Sequence, residues 1–229
     1  MKKLGVWIRD CAHLFSGKAI MYFRHKPPKH YLGHVVDGKI PIIILPGLGA
    51  RWGFYKKLGD HISLLGHPVY IVPKLGNNRD NIPASAKKVR EIIEENNLKN
   101  IILVAHSKGG LISKYLLLHE DPDKRVKGVI AIASPFHGSS MGKLIPLPAI
   151  QELTPNSKII KYLKEHSEVD RKIVSIIPSY DNLVWHPEGS YLEGAMQNIN
   201  VDVAGHSLVV NNKIVRNHVI EWIEKITRL

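Results

Sequence analysis

Cysteine is almost absent from this sequence. Cys11 is the only one among 229 residues, so the chain cannot form an internal disulfide. Secreted scaffolds held together by disulfides are therefore excluded. The scarcity favours a reducing compartment, although many secreted bacterial enzymes also lack disulfides. We expect a cytoplasmic protein.

Long hydrophobic runs are lacking as well. No stretch approaches the ~20 apolar residues that a membrane-spanning helix requires. The N-terminal stretch LGVWIRDCAHLF carries Arg9 and Asp10 where a signal peptide would be apolar. The sequence therefore predicts neither a membrane span nor a signal peptide, and any membrane contact would be peripheral.

Acidic residues are outnumbered by basic ones. The chain has 32 Lys and Arg against 20 Asp and Glu, a net charge of +12. Such a balance is typical of proteins that meet anionic lipid, nucleic acid or acidic ligands. No helix-turn-helix, zinc-finger or RNP pattern accompanies the charge, so we expect no nucleic-acid partner.

Half of this positive charge lies in an N-terminal extension, residues 1–38, and in the adjoining Lys39. The extension begins with an amphipathic pattern whose apolar positions are Leu4, Trp7, Ile8, Cys11, Leu14 and Phe15. One interpretation is that this helix docks on the protein's own body. The other is that residues 1–30 contact an anionic membrane surface.

From residue 39 to residue 229 the pattern alternates between strands and helices. Six apolar segments read as strands, namely KIPIIILP, PVYIVP, NIILVAHS, VKGVIAIAS, KIVSIIPS and INVDVAG. Helical patterns lie between most of them, which predicts an α/β domain with a mostly parallel sheet. An irregular insertion covers about residues 135–170. No repeat, low-complexity tract or Gly/Ser linker suggests a second domain.

Polar residues follow four of the predicted strands. The segments are LPGLGA at 45–50, AHSKGG at 105–110, SYDNLV at 179–184 and AGHSLV at 204–209. Ligands and catalytic groups collect beyond the carboxyl ends of such strands. A serine, an aspartate and a histidine therefore occur in this order, each just after a strand.

The segment AHSKG resembles the G-x-S-x-G nucleophile elbow of α/β hydrolases, with Ala105 in place of the first glycine as in small bacterial lipases. Three further stretches are similar to lipases of this family: ILPGLGA to the oxyanion loop, ASPFHGS to the stretch after the next strand, and ELTPNSKIIKYL to the helix leading to the acid-bearing strand. The resemblance implies a single-domain α/β-hydrolase fold with a short lid-like insertion.

The resemblance also implies a catalytic triad, with Ser107 as nucleophile, His206 as base and Asp181 as the acid that orients it. Asp202 is the competing acid, although its strand pattern favours an outward position. The backbone N–H groups of Leu48 and Lys108 would form the oxyanion hole. We expect the Lys108 side chain to lie along the helix surface rather than attract an anionic substrate.

The expected activity is hydrolysis of carboxylic esters of the lipase or esterase type. Apolar residues of the insertion could cover an acyl pocket for lipid-like or medium-chain substrates; they are Leu144, Ile145, Leu147, Ile150 and Leu153. A thioesterase, an acyltransferase and a non-catalytic lipid or partner binder remain alternatives. We expect no cofactor, since GLGARWG lacks the acidic partner of a dinucleotide site. We also expect no metal, since His25, His30 and His34 lie among lysines and prolines without cysteine or clustered carboxylates.

Overall fold

The computed structural model describes residues 4–10, 12–13, 27–186 and 188–229. Its centre is a six-stranded sheet in the order β2-β1-β3-β4-β5-β6. All five strand pairs are parallel, where the sequence predicted a mostly parallel sheet. The strands are β1 Ile42–Leu45, β2 Val69–Ile71, β3 Ile101–His106, β4 Val126–Ile132, β5 Ile173–Tyr180 and β6 Gln197–Ala204.

Eight α-helices accompany the sheet beyond residue 27. They are α1 His30–Gly33, α2 Lys56–Leu64, α3 Ile82–Glu95, α4 Lys108–His119, α5 Pro148–Gln151, α6 Lys158–Glu165, α7 Leu208–Asn211 and α8 Lys213–Arg228. Short 3-10 helices cover Trp52–Tyr55, Pro73–Leu75, Ser140–Leu144 and Asp170–Lys172. The predicted insertion therefore contains a 3-10 turn, α5 and α6.

The strands are buried on both faces because helices cover both sides. Ile42 and Ile44 pack in one apolar cluster, which includes residues of α2 and α8. Ile43 and Leu45 face the opposite cluster, which includes residues of α3, α4 and α6. This two-sided burial explains why the central strands read as continuous Ile/Val/Leu runs rather than as alternating patterns.

Residues before position 39 also contact this body. Tyr31 of α1 is buried within the first apolar cluster. Residues 4–10 and 12–13 are helical, and Asp10 is 1% exposed, whereas Leu4 and Ile8 are largely exposed. Of the predicted apolar face, Cys11, Leu14 and Phe15 lie outside the described residues. The N-terminal helix thus docks partly through a carboxylate.

No helix in the described ranges combines the length and apolar composition that crossing a bilayer would require. The carboxyl ends of the parallel strands meet at one edge of the sheet. The four polar segments predicted from the sequence all follow strands that end there. This edge is therefore where a functional site is expected.

Candidate active site

Ser107 occupies a sharp turn between β3 and α4. Its backbone has φ 53° and ψ −122°, a conformation that a residue with a side chain rarely adopts. A Cβ on Gly109 would lie 2.6 Å from the carbonyl oxygen of Leu45, and one on Gly110 would overlap Ser134. Glycine is thus required at both positions for α4 to start this close to the sheet. Backbone strain at a polar residue that ends a strand is typical of a functional site.

Asp181 and His206 form a hydrogen-bonded pair beside this turn. Asp181 follows β5, His206 follows β6, and the His206 Nδ1 lies 2.8 Å from the Asp181 Oδ2. The second carboxylate oxygen of Asp181 accepts the backbone N–H groups of Leu183 and Val184, both at 2.8 Å. An ionised carboxylate accepts only, so the His206 Nδ1 carries a proton and its Nε2 is the free basic nitrogen.

Burial and charge act in opposite directions on this pair. Burial alone would raise the pKa of Asp181, but attraction to His206 and the hydrogen bonds it accepts hold that pKa below its ordinary value. Burial alone would lower the pKa of His206, but the Asp181 charge outweighs it and raises that pKa. The ionised carboxylate therefore stabilises the imidazolium that forms when the His206 Nε2 takes a proton.

A cavity of about 220 Å³ connects Ser107 with His206, and both residues line it. Within the described residues, no hydrogen bond joins the Ser107 hydroxyl to the His206 ring. Such bonds are often long in ligand-free sites and shorten only when the substrate binds. Asp202 lies on β6 with its side chain exposed, whereas Asp181 is the carboxylate in contact with the histidine.

Two backbone N–H groups are available beside the serine. Leu48 lines the cavity, and Lys108 is the first residue of α4. In the described part of the chain, neither N–H group donates a hydrogen bond to another residue. Free donors at a helix N-terminus suit a negatively charged oxygen. Both positions are those that the sequence predicted for an oxyanion hole.

The predicted placement of the Lys108 side chain is wrong. Lys108 is fully buried, its Nζ lies 3.2 Å from the Glu152 Oε2, and it also donates to the carbonyl oxygen of Asp80. Glu152 Oε1 in turn accepts the N–H of Ile82 at 2.8 Å. Burial lowers the pKa of Lys108 against the raising effect of Glu152. A buried charge needs such partners, and this one ties the insertion to the nucleophile helix.

A second network, which the sequence did not indicate, passes through His106. The His106 Nε2 lies 3.0 Å from the carbonyl oxygen of His206, and because a carbonyl can only accept, this nitrogen carries the proton. The unprotonated Nδ1 accepts from the Tyr55 hydroxyl at 2.9 Å. The Tyr55 oxygen itself accepts the N–H of Gly47 at 2.8 Å. The network links the predicted oxyanion loop to the histidine loop.

Burial, followed by repulsion from His206, lowers the pKa of His106 to about 3. His106 is therefore neutral at any pH where the site would work, which keeps its tautomer fixed. Burial also raises the pKa of Tyr55 above its ordinary value, so the phenol stays a donor. Neither His106 nor Tyr55 can exchange a proton with His206 without breaking the hydrogen bonds of this network.

The cavity wall is mainly apolar. Insertion residues Met141, Ile150 and Leu153 line it, together with Phe54, Leu183 and Val184. Of the residues expected to cover an acyl pocket, Ile150 and Leu153 face the cavity. Leu144 and Leu147 are instead 69% and 56% exposed. The insertion thus presents one apolar side to the cavity and another to the surroundings.

Two histidines and a glutamate form a cluster of possible metal ligands. His137, His186 and Glu188 have ligand atoms within 4.8 Å of one another. The two rings stack at 5.0 Å, and the His186 Nδ1 already accepts the N–H of Glu188. Ligand atoms around tetrahedral zinc lie about 3.4 Å apart, for bonds of about 2.1 Å. The Glu188 Oε2 lies 2.8 Å from the His137 Nδ1 and 4.0 Å from the His186 Nδ1, on either side of that spacing, and the expectation of no metal stays a prediction.

Comparison with known proteins identifies the family of this chain and related folds. A family model described as the alpha/beta hydrolase fold matches residues 40–155, about half of the chain. The mature form of a Bacillus licheniformis lipase superposes with a TM-score of 0.65 at 17% identity, covering 87% of this chain and 96% of the lipase. Its propeptide form gives 0.68 at 17% identity, with 86% of this chain and 52% of that chain covered.

A monoacylglycerol lipase from Paleococcus ferrophilus is also similar, with a TM-score of 0.57 and 15% identity, covering 83% of this chain and 96% of the other. This chain therefore spans about half of the propeptide form of the Bacillus lipase and nearly all of its mature form and of the Paleococcus lipase. At these identities the similarity establishes the fold alone.

Proposed function

Because the chain belongs to the α/β-hydrolase family and is similar in structure to two lipases, we propose that it is a serine hydrolase of carboxylic esters. The observation that carries the proposal is the hydrogen bond between Asp181 and His206, beside a cavity that both His206 and the strained Ser107 line. Nucleophile, base and orienting acid are thus held at one end of the sheet.

In this mechanism the Ser107 hydroxyl attacks the ester carbonyl while the His206 Nε2 takes its proton. Asp181 holds the Nδ1 proton and stabilises the imidazolium. The N–H groups of Leu48 and Lys108 donate to the oxygen that becomes negative in the tetrahedral intermediate. The imidazolium then gives its proton to the departing alcohol, which leaves an acyl-serine. Water then attacks the acyl-serine while His206 takes its proton, and the imidazolium returns that proton to the Ser107 oxygen as the carboxylic acid leaves.

The apolar cavity wall favours an acyl chain of some length as the substrate class. Met141, Ile150 and Leu153 supply carbon surface on the side of the insertion. Burying such a chain contributes about 0.8 kcal/mol per CH₂. We therefore propose lipid-like or medium-chain esters rather than acetyl esters.

The test is reaction with a fluorophosphonate probe followed by peptide mapping, combined with hydrolysis of p-nitrophenyl esters. Wild type should be labelled at Ser107, and Ser107→Ala should lose both labelling and turnover, by about 10⁶ in kcat on the subtilisin precedent. Labelling of a different serine would refute the assignment. A wild type that binds lipid but resists the probe would instead support a non-catalytic binder, and faster turnover of thioesters than of matched esters would support a thioesterase.

A further inference from the structure

The N-terminal helical segment places a buried carboxylate directly behind the histidine loop. Asp10 is 1% exposed. Its Oδ1 accepts the backbone N–H groups of Ser207 at 2.7 Å and Leu208 at 2.9 Å. These two residues follow His206 immediately. A residue almost two hundred positions away in sequence is therefore bonded to the loop that carries the proposed base.

Asp10 supplies a helix cap that the loop lacks. Ser207 is the N-cap of α7 but makes no side-chain capping bond, so the first N–H groups of this helix need an external acceptor. Gly205 makes room for it, because a Cβ there would lie 2.9 Å from the Asp10 Oδ1. Its φ of +109° also favours glycine. The local sequence is thus adapted to receive a carboxylate from elsewhere.

Asn182 extends the contact to the other side of the histidine. Its Nδ2 donates to the Asp10 Oδ2 at 3.1 Å, and its Oδ1 accepts the backbone N–H of His206 at 2.9 Å. Because that oxygen is committed, the Asn182 amide cannot flip without placing donor against donor. Three donors therefore converge on residue 10, two from backbone and one from this amide. Only a side chain that accepts at both atoms, a carboxylate, satisfies them all.

We propose that Asp10 is a positioning residue for His206. By capping α7 and fixing Asn182, it holds the histidine backbone so that the ring stays between Asp181 and Ser107. The inference rests on the proposed function in that His206 is taken as the catalytic base. It also makes the N-terminal segment part of the active site rather than an appendage.

The charge of Asp10 gives the proposal a second, electrostatic consequence. The titratable groups that face His206 are Asp181 at 2.8 Å, His106 with a ring-centre separation of 4.8 Å, and Asp10 through the adjoining backbone. Burial lowers the pKa of His206, Asp181 raises it most, and Asp10 raises it further. Removing the Asp10 charge should therefore lower the pKa of His206.

The experiment compares Asp10→Asn, Asp10→Glu and, as a matched control, Asp202→Asn, which removes an exposed carboxylate four residues before the histidine. Asp10→Asn keeps the size of the side chain, but its new NH₂ group opposes the Asn182 NH₂ group. We expect kcat to fall about 10- to 100-fold with little change in KM, because a small misplacement of a catalytic group costs about that much. Asp10→Glu keeps the charge but not the geometry, so it should lower kcat without shifting the acid limb of the pH profile of kcat/KM.

The acid limb of kcat/KM should move to lower pH in Asp10→Asn alone, because neutral His206 is the active form and a lower pKa keeps it neutral further into acid. The same shift should appear in an NMR titration of the His206 ring, assigned by comparison with His206→Gln. A loss of thermal stability in Asp10→Asn with unchanged kcat, acid limb and ring titration would overturn the proposal and leave Asp10 a purely structural residue.

The ring titration keeps this test separate from the proposed function. If wild type hydrolyses no ester and resists the probe, the serine-hydrolase proposal fails, yet the titration still reports whether Asp10 acts on His206. If wild type is active and all variants titrate alike with wild-type kcat, only the role of Asp10 fails. Should Asp10→Asn not fold, Asp10→Glu still decides, since an unchanged kcat in that variant contradicts positioning by geometry.

Discussion

The apolar wall of the cavity should make the rate of hydrolysis depend on the length of the acyl chain. If the acyl chain lies against Met141, Ile150 and Leu153, each added CH₂ contributes about 0.8 kcal/mol in the transition state. This corresponds to about a fourfold gain in kcat/KM per CH₂, since 1.4 kcal/mol is a factor of ten. From an acetyl to a hexanoyl ester, four CH₂ groups would give about 200-fold.

The matched perturbation uses two residues of the same 3-10 turn. Met141 faces the cavity, whereas Leu144 is 69% exposed. Met141→Trp should fill part of the cavity and reduce the hexanoyl-to-acetyl ratio by about fourfold for each CH₂ it displaces. Leu144→Trp adds the same group outside and should leave the ratio unchanged.

The assay is kcat/KM for p-nitrophenyl esters of acetate, butyrate, hexanoate and octanoate, which share one leaving group. A flat series or a strict acetyl preference in wild type would refute the acyl groove. So would an equal change of the ratio in both Trp variants, because only one of them reaches the cavity.

Four further predictions follow from the described geometry. Asp181→Asn should lower kcat about 10⁴-fold, as in the serine-protease precedent, measured against the same ester at saturation. The kcat/KM of wild type should rise with pH through a midpoint above 6.5, since Asp181 raises the pKa of His206; a rate independent of pH from 5 to 8 would contradict His206 as base. Tyr55→Phe leaves the Gly47 N–H and the His106 Nδ1 without their partner. It should lower the free energy of unfolding by about 2 kcal/mol, measured by urea titration. Replacing the exposed Leu4 and Ile8 with Glu should abolish co-sedimentation with anionic vesicles if the N-terminal helix contacts membranes, and unchanged sedimentation would exclude that contact.

The fold was predictable because its signals are local. Strands buried on both faces read as continuous apolar runs, and the turn at Ser107 requires small neighbours that the sequence shows directly. The order of serine, aspartate and histidine likewise depends only on where each strand ends. Because the carboxyl ends of parallel strands lie at the same edge of the sheet, the residues that follow those ends come together there.

The partners of the site were not predictable, because they come from distant segments. Lys108 reads as a surface residue at the start of a helix, and only the insertion supplies the Glu152 carboxylate that allows its burial. Tyr55 reads as one aromatic residue in a helical stretch, and nothing local shows that its hydroxyl meets His106. The residue type shows whether a side chain is polar or apolar. It does not show which distant group will be its hydrogen-bonding partner.

The histidine loop shows how far this dependence extends. The His206 ring is held by Asp181, its carbonyl oxygen accepts from His106, and its backbone N–H donates to Asn182. The next two N–H groups are taken by Asp10. These bonds come from three segments, namely the end of β3 at His106, the acid loop at Asp181 and Asn182, and the N-terminal segment at Asp10. A buried backbone group left unpaired would cost about 1–3 kcal/mol. The loop therefore keeps this hydrogen bonding only when the sheet, the acid loop and the N-terminal segment are all in place, so the position of the proposed base depends in part on Asp10, which belongs to none of the motifs found in the sequence.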